Sequence, residues 1–182
     1  MNEAETKATY IDPALKKAGW GVVDGSRIRM EFPISKGRLI GNGKRDKPDK
    51  ADYVLQYKNL NLAVIEAKSD EKFYTEGVGQ AKDYAGKLQV RFTYSSNGLK
   101  IYSIDMQKGE EGDVDFYPTP DELWEKTFAE EDSINEQAGK WRDKFHKTPF
   151  ETRSGTWQPR YYQENAIKIG RASCRERVSS PV

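Results

Sequence analysis

Leu62-Ala63-Val64-Ile65 is an unbroken apolar run in a chain where charged residues make up 32% and the hydrophobic set only 36%. A run this short and continuous suits a strand covered on both faces, which has to lie inside a sheet rather than at its rim. The preceding run, Tyr53-Val54-Leu55-Gln56-Tyr57, is joined to it through Lys58-Asn59-Leu60-Asn61 and reads as its hairpin partner. A sheet buried at its centre needs layers on both sides, and the rest of the sequence supplies them as helices.

Asn2 with Glu5 fits a capping box, and Ala4, Ala8, Ile11 and Leu15 recur at helical spacing. Asp12-Pro13 is expected to restart that helix and Gly19 to stop it. Arg27–Phe32 alternates like a half-buried strand ended by Pro33, and Gly37 to Lys50 reads as loop. A helix is expected over Tyr74 to Leu88, then strands near Val90–Ser95 and Leu99–Ile104 around a tight turn at Asn97-Gly98. Gly109-Glu110-Glu111-Gly112 reads as an exposed loop, and Thr119-Pro120-Asp121-Glu122 opens a further capped helix. The order of elements predicts an α/β fold with a central mixed β-sheet flanked by helices.

No apolar run reaches the roughly 20 residues of a membrane span, and Met1–Glu5 lacks the pattern of a signal peptide, so cytoplasm is the expected compartment. One cysteine excludes an internal disulfide framework and any Cys-based zinc site, and the lone His146 excludes a multi-histidine metal site. Residues 169–182 resemble a translated sequencing-adapter read-through, so the native sequence is expected to break off near Lys168. Residues 170–182 hold three arginines and one glutamate; without them 27 basic and 28 acidic residues remain, and the net charge moves from +1 to −1. Overall charge therefore carries no sign of a nucleic-acid partner, and any basic surface has to be local.

The chemistry-bearing residues gather at the hairpin. Asp52 begins its first strand, and Glu66-Ala67-Lys68 ends its second, with Glu66 and Lys68 on one face. Register decides whether Asp52 joins them. If Tyr57 opposes Leu62, Asp52 falls opposite Ala67 on the wrong face; if Tyr57 opposes Asn61, Asp52 falls opposite Glu66. A working site needs the second register, or a bulge that shifts the first. Two carboxylates about 4 Å apart repel by roughly 4 kcal/mol at an effective dielectric near 20, so such a pair calls for a cation or a shared proton. Hard oxygen donors favour Mg²⁺, with Mn²⁺ as a substitute. Lys68 could orient a water or steady charge on a phosphate. The rival reading is a plain Glu66–Lys68 ion pair at a sheet edge. Gln80 and Tyr84, at i and i+4, share a helix face beside this cluster. Lys44, Arg45, Lys47 and Lys50 form a basic loop just before Asp52, suited to DNA phosphate contacts.

Taken together, Asp52, Glu66-Ala67-Lys68 and Gln80-x-x-x-Tyr84 resemble the signature of the PD-(D/E)xK nuclease superfamily, and specifically the N-terminal nuclease domain of the type I restriction enzyme R (motor) subunit. The flanks Asn2–Thr6, Ile11-Asp12-Pro13, Gly19-Trp20, Ser96-Asn97-Gly98 and Pro118-Thr119-Pro120 match too; Ala51 stands where the superfamily often has proline. The resemblance implies a restriction-endonuclease-like core over residues 1–132, a linker with a helix over 133–158, and the start of a truncated superfamily 2 helicase motor at 159–168, followed by the tail at 169–182. It implies that Asp52, Glu66 and the Ala67 carbonyl hold the metal, that Lys68 is the catalytic lysine, and that Gln80 and Tyr84 are accessory. Glu3 on the first helix would face the metal, against a rival reading as a charge stabilised by the helix N-terminus. The implied function is Mg²⁺-dependent endonuclease cleavage of DNA, in complex with modification and specificity subunits and with no membrane partner. No G-x-x-x-x-G-K-[S/T] phosphate loop occurs, so ATP belongs only to the full-length protein. The competing classes are a nuclease-dead DNA-binding or docking module and a stand-alone nuclease of a related defence or repair system.

Overall fold

The computed structural model describes residues 1–35, 39–40, 44–45, 49–134 and 140. Apart from Lys140, the expected linker beyond Ile134, with the motor start and the tail, lies outside the described residues, as do Lys47 and the side chains of Lys44 and Arg45. Met1–Thr127 forms one compact unit.

The N-terminal helix starts as predicted. The Asn2 side chain accepts from the Glu5 amide at 2.8 Å, and the Glu5 carboxylate accepts from the Asn2 amide at 3.0 Å. α1 (Glu3–Thr6) does not stop before Pro13. It passes through a π-helical turn (Lys7–Ile11) into α2 (Asp12–Lys17), whose first turn accommodates the proline. Gly19, at φ +96°, ends the helical stretch, and Trp20 is fully buried with its indole N–H on the Pro118 carbonyl at 2.8 Å.

Six strands form one mixed sheet in the order β1 (Ser26–Pro33), β4 (Lys50–Tyr57), β5 (Leu60–Ala67), β6 (Phe92–Ser96), β7 (Ile101–Asp105), β8 (Glu111–Val114). The α/β expectation is borne out. β5 is flanked on both sides and wholly buried from Asn61 to Ala67, as its apolar run requires. It pairs in parallel with β6 through a crossover containing α3 (Val78–Leu88), the one parallel pairing among the described residues.

Three boundaries differ from expectation. The 37–50 segment holds two short paired strands, β2 (Leu39–Ile40) and β3 (Lys44–Arg45), and Lys50 already belongs to β4. Glu111–Val114 is an edge strand rather than loop, because its backbone completes the ladder to β7 while its side chains stay largely exposed. The helix expected from Tyr74 begins only at Val78. Asn97-Gly98 turns the chain within a four-residue connection, with the Asn97 carboxamide accepting from the Leu99 and Lys100 amides at 3.2 and 3.1 Å. At the other end of the sheet, Thr119 and Glu122 reciprocate hydrogen bonds at 2.9 and 3.2 Å and open α4 (Pro120–Ile134).

Gly98 fastens the β6–β7 connection to the N-terminal helix. Its φ is +82°, and a Cβ there would sit 2.7 Å from Tyr10 Cβ and 3.0 Å from Thr6 Cγ2. Gly98→Ala is therefore expected to destabilise the chain by about 2–4 kcal/mol, combining left-handed strain with overpacking. A urea midpoint equal to that of the wild type would contradict this docking.

Candidate active site

The β4–β5 hairpin sets the site. Lys58 and Asn59 both take positive φ, 48° and 61°, in a two-residue turn between the paired Tyr57 and Leu60. That register matches neither of the two expected from sequence. Continued without interruption, it would place Asp52 opposite Ile65, on the wrong face. A bulge intervenes: Leu55 pairs with Ala63 and Gln56 with Asn61, leaving Leu62 as the extra residue. Beyond it Tyr53 pairs with Ile65, and one further step brings Asp52 level with Glu66. The carboxylate of Asp52 closes the arrangement, with Oδ2 accepting from the Ala67 amide at 2.8 Å.

Glu66 is 3% exposed. Its Oε1 accepts from Lys68 Nζ at 2.9 Å, whereas its Oε2 is buried with no hydrogen-bond partner. Burial first, then the charge of Asp52, pushes the Glu66 carboxyl up to about 7, outweighing the neighbouring Lys68 ammonium. Lys68 is itself raised: burial lowers it, but Glu66, Glu3 and Asp52 together prevail. Lys68 Nζ also reaches Gln80 Oε1 at 3.4 Å, and Gln80 Nε2 donates to the Tyr84 hydroxyl at 2.8 Å. The exposed Gln80 and the buried Tyr84, one turn apart on α3, thus extend the Glu66–Lys68 pair outward. Gly77, just before α3, leaves room for this: a Cβ there would lie 2.9 Å from Glu66 Cγ and 2.6 Å from Ser95 Oγ.

Two residues join the cluster that sequence reasoning did not single out. Lys7, at the start of the π-turn, places its ammonium on Asp52 Oδ1 and 3.3 Å from both Glu3 and Glu31. Glu31 lies on β1 level with Asp52, at φ +48°, where the β1–β4 ladder between Met30–Tyr53 and Phe32–Ala51 is interrupted. Lys7 lies four residues after Glu3, a helical ion-pair spacing visible in the sequence; Glu31 becomes visible only once β1 is paired with β4. Glu3 stands in the first turn of α1 and lies 3.3 Å from the Lys7 ammonium. Lys50 is exposed at the start of β4.

Among the described residues, no group of three or more His, Cys, Asp or Glu side chains is arranged to hold a metal. The donors expected from the sequence are the carboxylates of Asp52 and Glu66 and the Ala67 carbonyl. That set suits a hard cation that keeps several waters, and the unpartnered Glu66 Oε2 is an oxygen such a cation would satisfy.

The chain is 33% identical over 136 residues to the endonuclease subunit of the type I restriction enzyme EcoAI from Escherichia coli, an alignment covering 69% of this chain and 16% of that protein. It superposes with a TM-score of 0.75 and 32% identity on a fragment described as an HsdR subunit of a type I restriction enzyme from Vibrio vulnificus YJ016, covering 93% of this chain and 32% of that one. Its homologues are type I restriction enzyme endonuclease (HsdR) subunits. The chain thus spans about a sixth of the curated HsdR relative. No protein-family profile matches it. The six-stranded mixed sheet with its helices is the α/β architecture of the HsdR fragment, a restriction-endonuclease-like core. Among the described residues, no helix is long and apolar enough to cross a membrane.

The raised Glu66 carboxyl fixes a pH dependence. Its folded value, about 7, lies above the ordinary 4.5, so between those values the folded state holds more proton than the unfolded state. Stability of the metal-free protein is then expected to fall as pH rises from about 4.5 to 7, by on the order of 1–3 kcal/mol. The lowered carboxylates Asp49, Asp105 and Glu122 act below this window. Urea midpoints in EDTA should show the decline, and Glu66→Gln should flatten it; an equal slope in both proteins would refute the assignment.

Proposed function

We propose that this chain is the Mg²⁺-dependent endonuclease domain of a type I restriction R subunit, hydrolysing DNA phosphodiesters. The observation that carries this reading is the convergence of Asp52, Glu66 and Lys68 at one end of the buried hairpin, with Glu66 Oε2 left without a partner. Asp52, Glu66 and the Ala67 carbonyl would hold Mg²⁺ or Mn²⁺. Such an ion, when bound, supplies Lewis acidity toward a phosphate and lowers the pKa of coordinated water.

The chain's own side chains have separable tasks in this proposal. Lys68, held between Glu66 and Gln80, orients the attacking water and balances charge gathering on the phosphate. Tyr84 braces Gln80, so the accessory pair acts by fixing the lysine. Lys50, exposed at the start of β4 two residues before Asp52, contacts DNA phosphates in this proposal, and Lys44, Arg45 and Lys47 belong to the same basic stretch of sequence. Such contacts position a duplex without reading its bases, which leaves sequence choice to specificity and modification subunits of a larger cytoplasmic complex. ATP use would belong to the longer protein.

Nicking of supercoiled plasmid tests the reading. With Mg²⁺ the chain is expected to convert supercoiled to open-circular DNA, and Asp52→Ala or Lys68→Ala to reduce the rate by roughly 100-fold or more. Equal nicking by all three proteins would assign the cleavage to contamination and leave a DNA-binding or subunit-docking module.

A further inference from the structure

Asp52 presents its two oxygens very differently. Oδ2 is turned to the Ala67 amide of the neighbouring strand, which fixes the carboxylate in place. Oδ1 is the oxygen left for a cation, and it already carries one: the ammonium of Lys7. The contact is enclosed, with both side chains only 13% exposed. The same ammonium lies within ion-pair distance of two further carboxylates, Glu3 and Glu31, at 46% and 59% exposure. Neither of these is among the oxygens available on the hairpin, and each stands on a different element, α1 and β1.

Three features put the lysine there, and none serves the sheet. The helix widens at Lys7, where the Asp12 amide bonds back to the Lys7 carbonyl across a π-turn. Glu31 takes a left-handed conformation that non-glycine residues rarely adopt, and the β1 ladder is interrupted there. Glu3 sits one α-helical turn before Lys7. An ammonium held by one half-buried and two more exposed carboxylates has somewhere to go when the half-buried one is claimed.

We propose that Lys7 is a built-in occupant of the cation site: it covers Asp52 Oδ1 while no divalent ion is held, and yields to the ion by moving wholly onto Glu3 and Glu31. The idea rests on the metal reading of Asp52 and Glu66 given above. Without the lysine, the metal-free protein would hold Asp52 and Glu66 close together with one fewer balancing charge. With it, every divalent ion that binds has to displace a cation first, so affinity is set by the difference between two cations rather than by the carboxylates alone. Lys7 is on this account a positioning residue for the empty site and a competitor of the metal.

Calorimetric titration of the 182-residue chain with MnCl₂ tests the proposal. Lys7→Met is expected to bind Mn²⁺ about tenfold more tightly than wild type, and to gain a larger rise in Tm on adding Mn²⁺, because its metal-free state is the less stable one. Lys7→Arg keeps the charge and offers Asp52 a planar two-pronged donor, so it should bind Mn²⁺ several-fold more weakly. Unchanged affinity in Lys7→Arg would reduce the effect to general charge and overturn the proposal. So would a crystal of the Mn²⁺ complex in which Lys7 still sits on Asp52. Mn²⁺ uptake by wild type with no gain in Lys7→Met removes this inference and leaves the metal site standing; no uptake by either protein removes both. Should Lys7→Met fail to fold, the Lys7→Arg titration and the crystal decide alone.

Discussion

A single extra residue in a buried strand governs whether this fold has a site at all. The tight Lys58-Asn59 turn sets a register that would direct Asp52 to the opposite face from Glu66. Leu62 takes up one position without a cross-strand partner, and from there to the strand ends every residue of β5 is shifted by one against β4. Because side chains alternate with period two, this one-residue shift brings the Asp52 carboxylate onto the same face as Glu66. The Asp52 to Ala67 hydrogen bond then locks the corrected register at the far end. Deleting Leu62 would remove a buried leucine and, by restoring the register set at the turn, also separate the two carboxylates, so the bulge serves the site as well as the core.

The electrostatics of the cluster follow from that convergence. Bringing Glu66 into a nearly fully buried position beside Asp52 is unfavourable for both charges, and the Glu66 carboxyl responds by holding its proton to about 7. Two lysines offset part of the cost from opposite sides, Lys68 through Glu66 and Lys7 through Asp52. Each carboxylate thus has an ammonium in direct contact, while Lys7 also reaches Glu3 and Glu31 and Lys68 also feels Asp52 and Glu3. A core built for stability alone would have no reason to leave Glu66 Oε2 buried without a donor, since an unmet buried oxygen costs on the order of 1–3 kcal/mol.

Most of the architecture was legible in the sequence because it rests on local signals. The Leu62–Ile65 run announced a central strand, the Asn2–Glu5 and Thr119–Glu122 boxes announced helix starts, and Gln80 with Tyr84 announced one face of α3. What escaped depends on pairings far apart along the chain. The Glu111–Val114 strand has the composition of a loop and becomes a strand only because β7 offers it an open edge. Pro13 reads as a restart, yet a π-turn just before it lets the helix continue. Lys7 and Glu31 are ordinary surface charges in one dimension, and Glu31 meets Asp52 only when β1 lies against β4. The bulge itself has no residue signature, since Leu62 is one of the apolar run Leu62–Ile65.

These long-range pairings make the N-terminal helix part of the site rather than a cover for it. The helix is anchored at three places around the cluster. The Thr6 hydroxyl accepts from the Asp70 amide, two residues beyond Lys68, at 3.2 Å. Tyr10 packs on the backbone of Gly98, in the connection that follows β6. Asp12 accepts from the hydroxyl of the buried Tyr53, the residue next to Asp52, at 2.8 Å. Each anchor touches a segment adjoining the hairpin's carboxylate end, so the position of Lys7 is coupled to the same segments that position Asp52 and Lys68. Loosening the helix would therefore disturb the charge balance of the cluster before it disturbed the sheet, whose hydrogen bonds from β4 to β7 do not involve the helix.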